Sequence, residues 1–301
     1  MSRPPASRSR YEAGTDTSPV PGYRDSRCHH PPGGPWTNGP PHPQVTRTLH
    51  VHAWGVEGAP TVVCLHGVTA WGGHFARLAT ALAATHRVIA PDLLGHGASP
   101  WEPPWRIADH LDAIEATLGD EPATWTGHSF GARLSLEQAA RRPGSVERLV
   151  LLDPAIVVPP HVALWAAENA RPERRYASFD DAIQRRFAES QLHDAPRALV
   201  EEELRGHLVE DDAGWRYRYA QAAVVTAHGE LASPAPDFGV TRVPTLVVHG
   251  ADSYLPYDLH AEGHRAALGD LLEVVTVAGG HTVLWDALDE TTAAVAAFVR
   301  A

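Results

Sequence analysis

Ala123-Thr124-Trp125-Thr126-Gly127-His128-Ser129-Phe130-Gly131-Ala132 is the stretch on which the reading of this chain turns. Ala123 to Thr126 reads as a short buried strand, and Ala132 to Arg142 has the spacing of a helix. Between them stands Gly127-x-Ser129-x-Gly131, a serine flanked by glycines at a strand-to-helix junction, which is the pattern of a nucleophile elbow. Such a turn strains the backbone at the serine, so its close neighbours must be glycine to avoid clashes. It lifts the Ser129 hydroxyl above the sheet and sets it at a helix N-terminus, where backbone N–H groups favour a developing negative charge.

Working outward, strands and helices alternate. Thr48–Trp54, Thr61–Leu65, His86–Ala90 and Val146–Leu152 read as strands, and Phe75–Thr85 and Ile107–Leu118 as helices. From about residue 155 to 236 the segments are helix-like, with no clear parallel strand. Alternation returns with the strand Thr245–Val248, the helix Tyr257–Leu268, the strand Leu272–Val277 and a last helix from about Leu284 to Arg300. This order predicts an α/β fold: a mostly parallel central sheet with helices on both faces, carrying a helical cap insertion over the site.

The bulk composition narrows the partners. The chain has 301 residues, enough for one large α/β domain, with a formal net charge of −11. That acidity argues against a nucleic-acid partner. Residues 1–44 are rich in Pro, Gly, Ser and Arg and read as a disordered extension, which leaves 45–301 as the folded domain. The segment has no apolar core of the kind a secretory or twin-arginine signal needs, and no stretch is long and apolar enough to span a bilayer. Cys28 sits in the polar tail and Cys64 in a strand, which fits a reducing cytoplasm and no disulfide framework.

A serine hydroxyl needs a base with a pKa near 7 in hydrogen-bond reach. Of 19 histidines, His281 is the one placed in a loop after the final strand, in Ala278-Gly279-Gly280-His281. The order Ser…acid…His singles it out as the base. Asp252, after the strand Thr245–Val248, is the first choice for the carboxylate that orients the imidazole, and Asp153, after Val146–Leu152, is the alternative. Both strand ends open onto one edge of a parallel sheet. The Val68 and Phe130 N–H groups form the expected oxyanion hole, with Val68 placed by the turn His66-Gly67-Val68-Thr69. His50, His52, His74, His96, His128 and His249 read as structural or surface groups. His50-x-His52 is a weak metal candidate, and no other cluster has metal-ligand spacing.

Taken together, these residues resemble the α/β-hydrolase superfamily, and within it small actinobacterial esterases and lipases. The matching stretches include Leu49-His50-Val51-His52, His66-Gly67-Val68-Thr69, Ala90-Pro91-Asp92-Leu93-Leu94-Gly95-His96-Gly97, the elbow, and Leu151-Leu152-Asp153-Pro154-Ala155. They cover residue 48 to the end. In this family Pro91–Gly97 is structural and carries no catalytic step. The usual acid lies three residues after the glycine of its loop; here Ser253 holds that place and Asp252 is one residue short, which keeps Asp153 in play. The first antiparallel strand of the common fold is not evident before Thr48, and Ala132 replaces a frequent second glycine.

The resemblance implies hydrolysis of a hydrophobic, small-molecule ester through a Ser-His-Asp triad and an acyl-enzyme, with no cofactor and no metal. Serine at position 129 argues against dehalogenase chemistry, which needs a carboxylate nucleophile in this fold. The same triad also serves cofactor-free haloperoxidases, lactonases and C–C bond hydrolases. A non-catalytic ligand-binding protein on this fold and a membrane-surface lipase are the other readings. The cap aromatics Trp165, Tyr176, Phe179, Phe187, Trp215, Tyr217 and Tyr219 read mostly as the cap's own core.

Overall fold

The computed structural model describes residues 47–189, 192, 194–240, 242–255 and 257–301. The extension expected over residues 1–44 lies outside them.

The chain enters the sheet as β1 (Val51–Trp54), then β2 (Thr61–Leu65), α1 (Ala76–Leu82) and β3 (Arg87–Pro91). It continues through α2 (Ile107–Leu118), β4 (Ala123–His128), α3 (Phe130–Arg141) and β5 (Val146–Leu152). The seven-stranded sheet has the order β1-β3-β2-β4-β5-β8-β9, where β8 is Thr245–Gly250 and β9 is Leu272–Val277. Only β1 is antiparallel, paired with β3 from Val51↔Pro91 to Trp54↔Val88. The Thr48–Trp54 segment forms this antiparallel strand over its last four residues, and any strand before Thr48 lies largely outside the described residues.

The strands are apolar on both faces, as a parallel sheet covered by helices requires. Along β2, Val62 and Cys64 join one core and Val63 and Leu65 the other. In β5, Val150 and Leu152 face the first of these cores, and Leu149 and Leu151 the second. The first core packs against α1 and the C-terminal helix through Phe75, Leu78, Val295 and Phe298; the second packs against α2 and α3 through Leu111, Ile114, Leu134 and Ala139.

Between β5 and β8 the chain forms α4 (Pro160–Ala170), α5 (Phe179–Glu189), α6 (Arg197–His207), β6 (Leu208–Asp211), β7 (Gly214–Tyr217) and α7 (Gln221–Glu230). The β6–β7 hairpin differs from the all-helical expectation. Its strands are four residues long, too short for an alternation to register, and the turn over Asp212 and Ala213 closes with Gly214 at φ +106°. Tyr176 and Tyr217 are buried in this segment's own core, with Phe179, Phe187, Trp215 and Tyr219 packed on it. Trp165 is the exception, 68% exposed. After α8 (Asp258–Leu268) and β9, the expected last helix is two: α9 (Val283–Asp286) and α10 (Leu288–Arg300), separated by Ala287 at φ −138°. No helix among the described residues is long and apolar enough to cross a membrane.

Candidate active site

β4 ends in the elbow. Ser129 has φ +56° and ψ −114°, immediately before α3. The flanking glycines are required by contact. A Cβ on Gly127 would lie 2.2 Å from the Gly131 carbonyl oxygen, and one on Gly131 would lie 1.9 Å from the Leu65 oxygen. Both obstacles are backbone, which has no rotamer with which to move aside. The Ser129 N–H donates to the Leu152 oxygen at 3.0 Å, which ties the turn to the end of the neighbouring strand.

The β2 loop closes over this point. A Cβ on Gly67 would stand 3.2 Å from Ser129 Cβ, so Val68 follows directly beside the serine. Among the described residues, neither the Val68 nor the Phe130 N–H meets a protein acceptor. Two buried histidines hold the loop. The Leu93 N–H donates to His66 Nε2 at 2.9 Å, so Nδ1 carries the proton and donates to the Gly67 oxygen at 2.8 Å. Burial above all, with His96 nearby, pushes the His66 pKa well down and keeps the ring neutral. His96 Nε2 donates to the Val68 oxygen at 2.7 Å.

His281 follows β9 through Gly279, at φ +92°, and Gly280, whose N–H donates to the Asp286 carboxylate at 2.8 Å. Here the sequence expectation is corrected. The carboxylate on His281 is Asp153, not Asp252: His281 Nδ1–H donates to Asp153 Oδ2 at 2.5 Å. Asp153 is fully buried at the end of β5, at φ +40°. Its Oδ1 accepts the Gly250 N–H at 2.9 Å, and its Oδ2 also accepts the Ser253 hydroxyl at 2.5 Å. Ser253 stands where the family usually puts its acid, and it donates to the carboxylate that has taken over the contact. Asp252, one residue short, is exposed, and its backbone N–H donates to the Gly279 oxygen at 2.9 Å. With Nδ1 committed to Asp153, Nε2 is the His281 nitrogen left to accept a proton.

His128 braces the histidine loop. Its Nε2–H donates to the His281 carbonyl at 2.9 Å, and the two rings lie 4.8 Å apart. Burial, then the charges of His281 and His74, push its pKa well down, so it does not compete as a base.

Pro91–Gly97 is knitted by Asp92. Oδ1 accepts the Gly72 N–H at 2.8 Å and His52 Nε2–H at 3.1 Å, and Oδ2 accepts the Ala98 N–H at 2.9 Å. Burial opposes its ionisation, but these donors outweigh it and hold the carboxyl well below the usual range. His50, His52 and Asp92 present ligand atoms within 4.8 Å of one another, with Asp92 already spent on the loop.

Ser129, His281, Val68 and the inserted segment together line a cavity of about 580 Å³. Several lining or supporting residues carried no sequence motif. Arg133, 1% exposed on α3, donates to the Ile156 oxygen at 2.6 Å, the Ser233 oxygen at 3.2 Å and the Pro234 oxygen at 2.6 Å. It thus joins the helix behind the serine to both roots of the insertion. Glu203 on α6 accepts His74 Nδ1–H at 2.8 Å and the Trp285 indole N–H. Tyr254, after β8, places its ring 4.8 Å from that of His281.

A family model described as the alpha/beta hydrolase fold matches residues 60–288. The chain belongs to the α/β-hydrolase family. This α/β-hydrolase is 33% identical over 241 residues to Lipase LipV of Mycobacterium tuberculosis, across 78% of its own length and 91% of the relative's. A pimeloyl-[acyl-carrier protein] methyl ester esterase of Chromobacterium violaceum is 36% identical over 155 residues, 50% of this chain and 60% of that one. Among solved structures, E-2-(acetamidomethylene)succinate hydrolase matches with a TM-score of 0.73 at 26% identity, covering 85% of this α/β-hydrolase and 98% of the other chain.

Proposed function

We propose that this α/β-hydrolase is a serine carboxylesterase with Ser129 as nucleophile, His281 as base and Asp153 as the orienting acid. His281 Nε2 takes the Ser129 proton as Oγ attacks the ester carbonyl carbon. The Val68 and Phe130 N–H groups receive the oxyanion, each worth about 3–4 kcal/mol of barrier. His281 then protonates the leaving alcohol, and water attacks the acyl-enzyme through the same base to release the acid. Asp153 stays ionised and stabilises the imidazolium. Each step uses these groups and water alone.

The observation that carries this reading is the 2.5 Å hydrogen bond from His281 to a fully buried carboxylate, beside a strained serine that shares the same cavity. The lipase and esterase relatives support ester hydrolysis as the reaction type.

The test is covalent labelling with a fluorophosphonate, followed by intact mass and peptide mapping. A single adduct on Ser129 is expected, absent from Ser129→Ala and suppressed in His281→Ala. Failure of the folded wild-type protein to label, or an adduct at another residue, sinks the reading.

A further inference from the structure

The chain carries a net charge of −11, yet the fixed charges around its cavity run the other way. Arg174, Arg185 and Arg186 line it, against one carboxylate, Glu203. Glu203 is already engaged by His74 and by the Trp285 indole. Arg185 is drawn outward to Asp181 at 3.3 Å. Arg186 stands apart. It projects from α5 with its guanidinium carbon 4.9 Å from the centre of the Trp285 ring, and its Nε is buried with no hydrogen-bond partner. Among the described side chains no carboxylate lies within ion-pair distance of it.

A cation held on an aromatic face inside a cavity, with a buried donor unused, has among the described side chains none of the counter-charge that such groups ordinarily have. Its position is set by packing. Trp285 is 2% exposed, and its N–H bond to Glu203 fixes the ring on which the guanidinium rests. Arg186 and Ser129 line the same cavity.

We infer that Arg186 is a specificity residue that binds a carboxylate on the substrate, so that the enzyme's substrates are esters bearing a free carboxylate rather than uncharged ones. The inference rests on the serine-esterase reading above. A planar guanidinium matches a carboxylate in geometry, and the charge-assisted hydrogen bonds it forms are about twice as strong as neutral ones.

The test uses two matched ester pairs. In the first, 4-nitrophenyl hydrogen glutarate is compared with methyl 4-nitrophenyl glutarate, which places the charge on the acyl side. In the second, 3-acetoxybenzoate is compared with its methyl ester, which places it on the alcohol side. For one pair, kcat/KM for the anion is expected to exceed that of the neutral partner at least tenfold. Arg186→Gln is expected to lower that ratio by a factor of ten or more, while Arg186→Lys retains part of it. The inference is overturned if neither pair favours the anion in wild type, or if Arg186→Gln lowers both partners equally. Should Arg186→Gln not fold, the wild-type ratios and Arg186→Lys still decide. Hydrolysis of the neutral esters that persists in Ser129→Ala would instead sink the serine-esterase reading. A separate arm needs no turnover: glutarate titrated into Ser129→Ala should change tryptophan emission, and that change should vanish when Arg186→Gln is added. No change in the first protein counts against the carboxylate site.

Discussion

Replacing Asp153 by Asn separates the two carboxylates that the sequence left in competition. The buried Asp153 carboxylate accepts three hydrogen bonds, from Gly250 N–H, Ser253 Oγ–H and His281 Nδ1–H. An amide has one oxygen. If that oxygen stays on the Gly250 N–H, the NH2 group faces His281 Nδ1 and donates to it. The ring then carries its proton on Nε2, the nitrogen that must accept the serine proton. A wrong tautomer of this kind costs about 10⁴-fold in kcat, or about 5.5 kcal/mol of barrier. If the amide turns the other way, two N–H donors oppose each other in a buried site at a cost of about 1–3 kcal/mol in stability. Asp252→Asn keeps the backbone N–H bond to the Gly279 oxygen and is expected to change kcat less than threefold. The assay is hydrolysis of 4-nitrophenyl butyrate, normalised to the fraction of protein that takes up a fluorophosphonate and accompanied by thermal melts. If Asp252→Asn loses a thousandfold while Asp153→Asn keeps more than a tenth of wild-type kcat, the assignment of the acid is refuted.

Three further outcomes follow from the same contacts. Ser253→Ala removes a 2.5 Å donor from the Asp153 carboxylate and should reduce kcat about tenfold with a loss of about 1–2 kcal/mol in denaturant melts; full activity would show that Ser253 is incidental. Arg133→Met leaves the Ile156, Ser233 and Pro234 carbonyls without their buried donor and should cost about 3 kcal/mol, read as a lower midpoint in urea; an unchanged midpoint contradicts this. Burial pushes His110 and His207 down to about 3 and His264 to about 4, whereas in the unfolded chain they titrate near 6.5. Below pH 6.5 the unfolded chain therefore binds more protons than the folded one, and stability falls as pH is lowered, by up to about 1.4 kcal/mol per pH unit for each histidine. Urea unfolding at pH 7.5 and pH 5 measures this directly, and equal stability at both would contradict it.

The α/β architecture was legible because its signals are local. The elbow needs glycine at two neighbours of one serine, and the strands announce themselves as short apolar runs. The placing of Val68 beside Ser129 was legible for the same reason, since each sits in a turn directly after a strand. The acid was not. Which of two strand-end carboxylates meets His281 depends on lateral distances across the sheet, and these are set by helix packing that no short window contains. One clue was available: a serine where the family expects a carboxylate. Arg133, Arg186 and Glu203 left no trace, and His74 read only as a structural or surface group, because their contacts lie far away in sequence; His74 and Glu203, for instance, meet across 129 residues. The β6–β7 hairpin was missed because four-residue strands carry too little alternation to outweigh the helices around them.

With Asp153 as the proposed acid, the end of β5 fixes its distance from the serine. His128 pairs with Leu152 in adjacent parallel strands, so Ser129 and Asp153 are the next rung of one ladder, cross-tied by the Ser129 N–H to the Leu152 oxygen. Their separation is set by the register of β4 against β5. His281 instead follows β9, beyond β8, on a loop tied by the Asp252 N–H, the Asp286 carboxylate and the His128 Nε2–H. Two neighbours thus come from one strand ladder and the third from a separately tied loop, so an insertion after β9 should displace the histidine and leave the spacing of the other two intact.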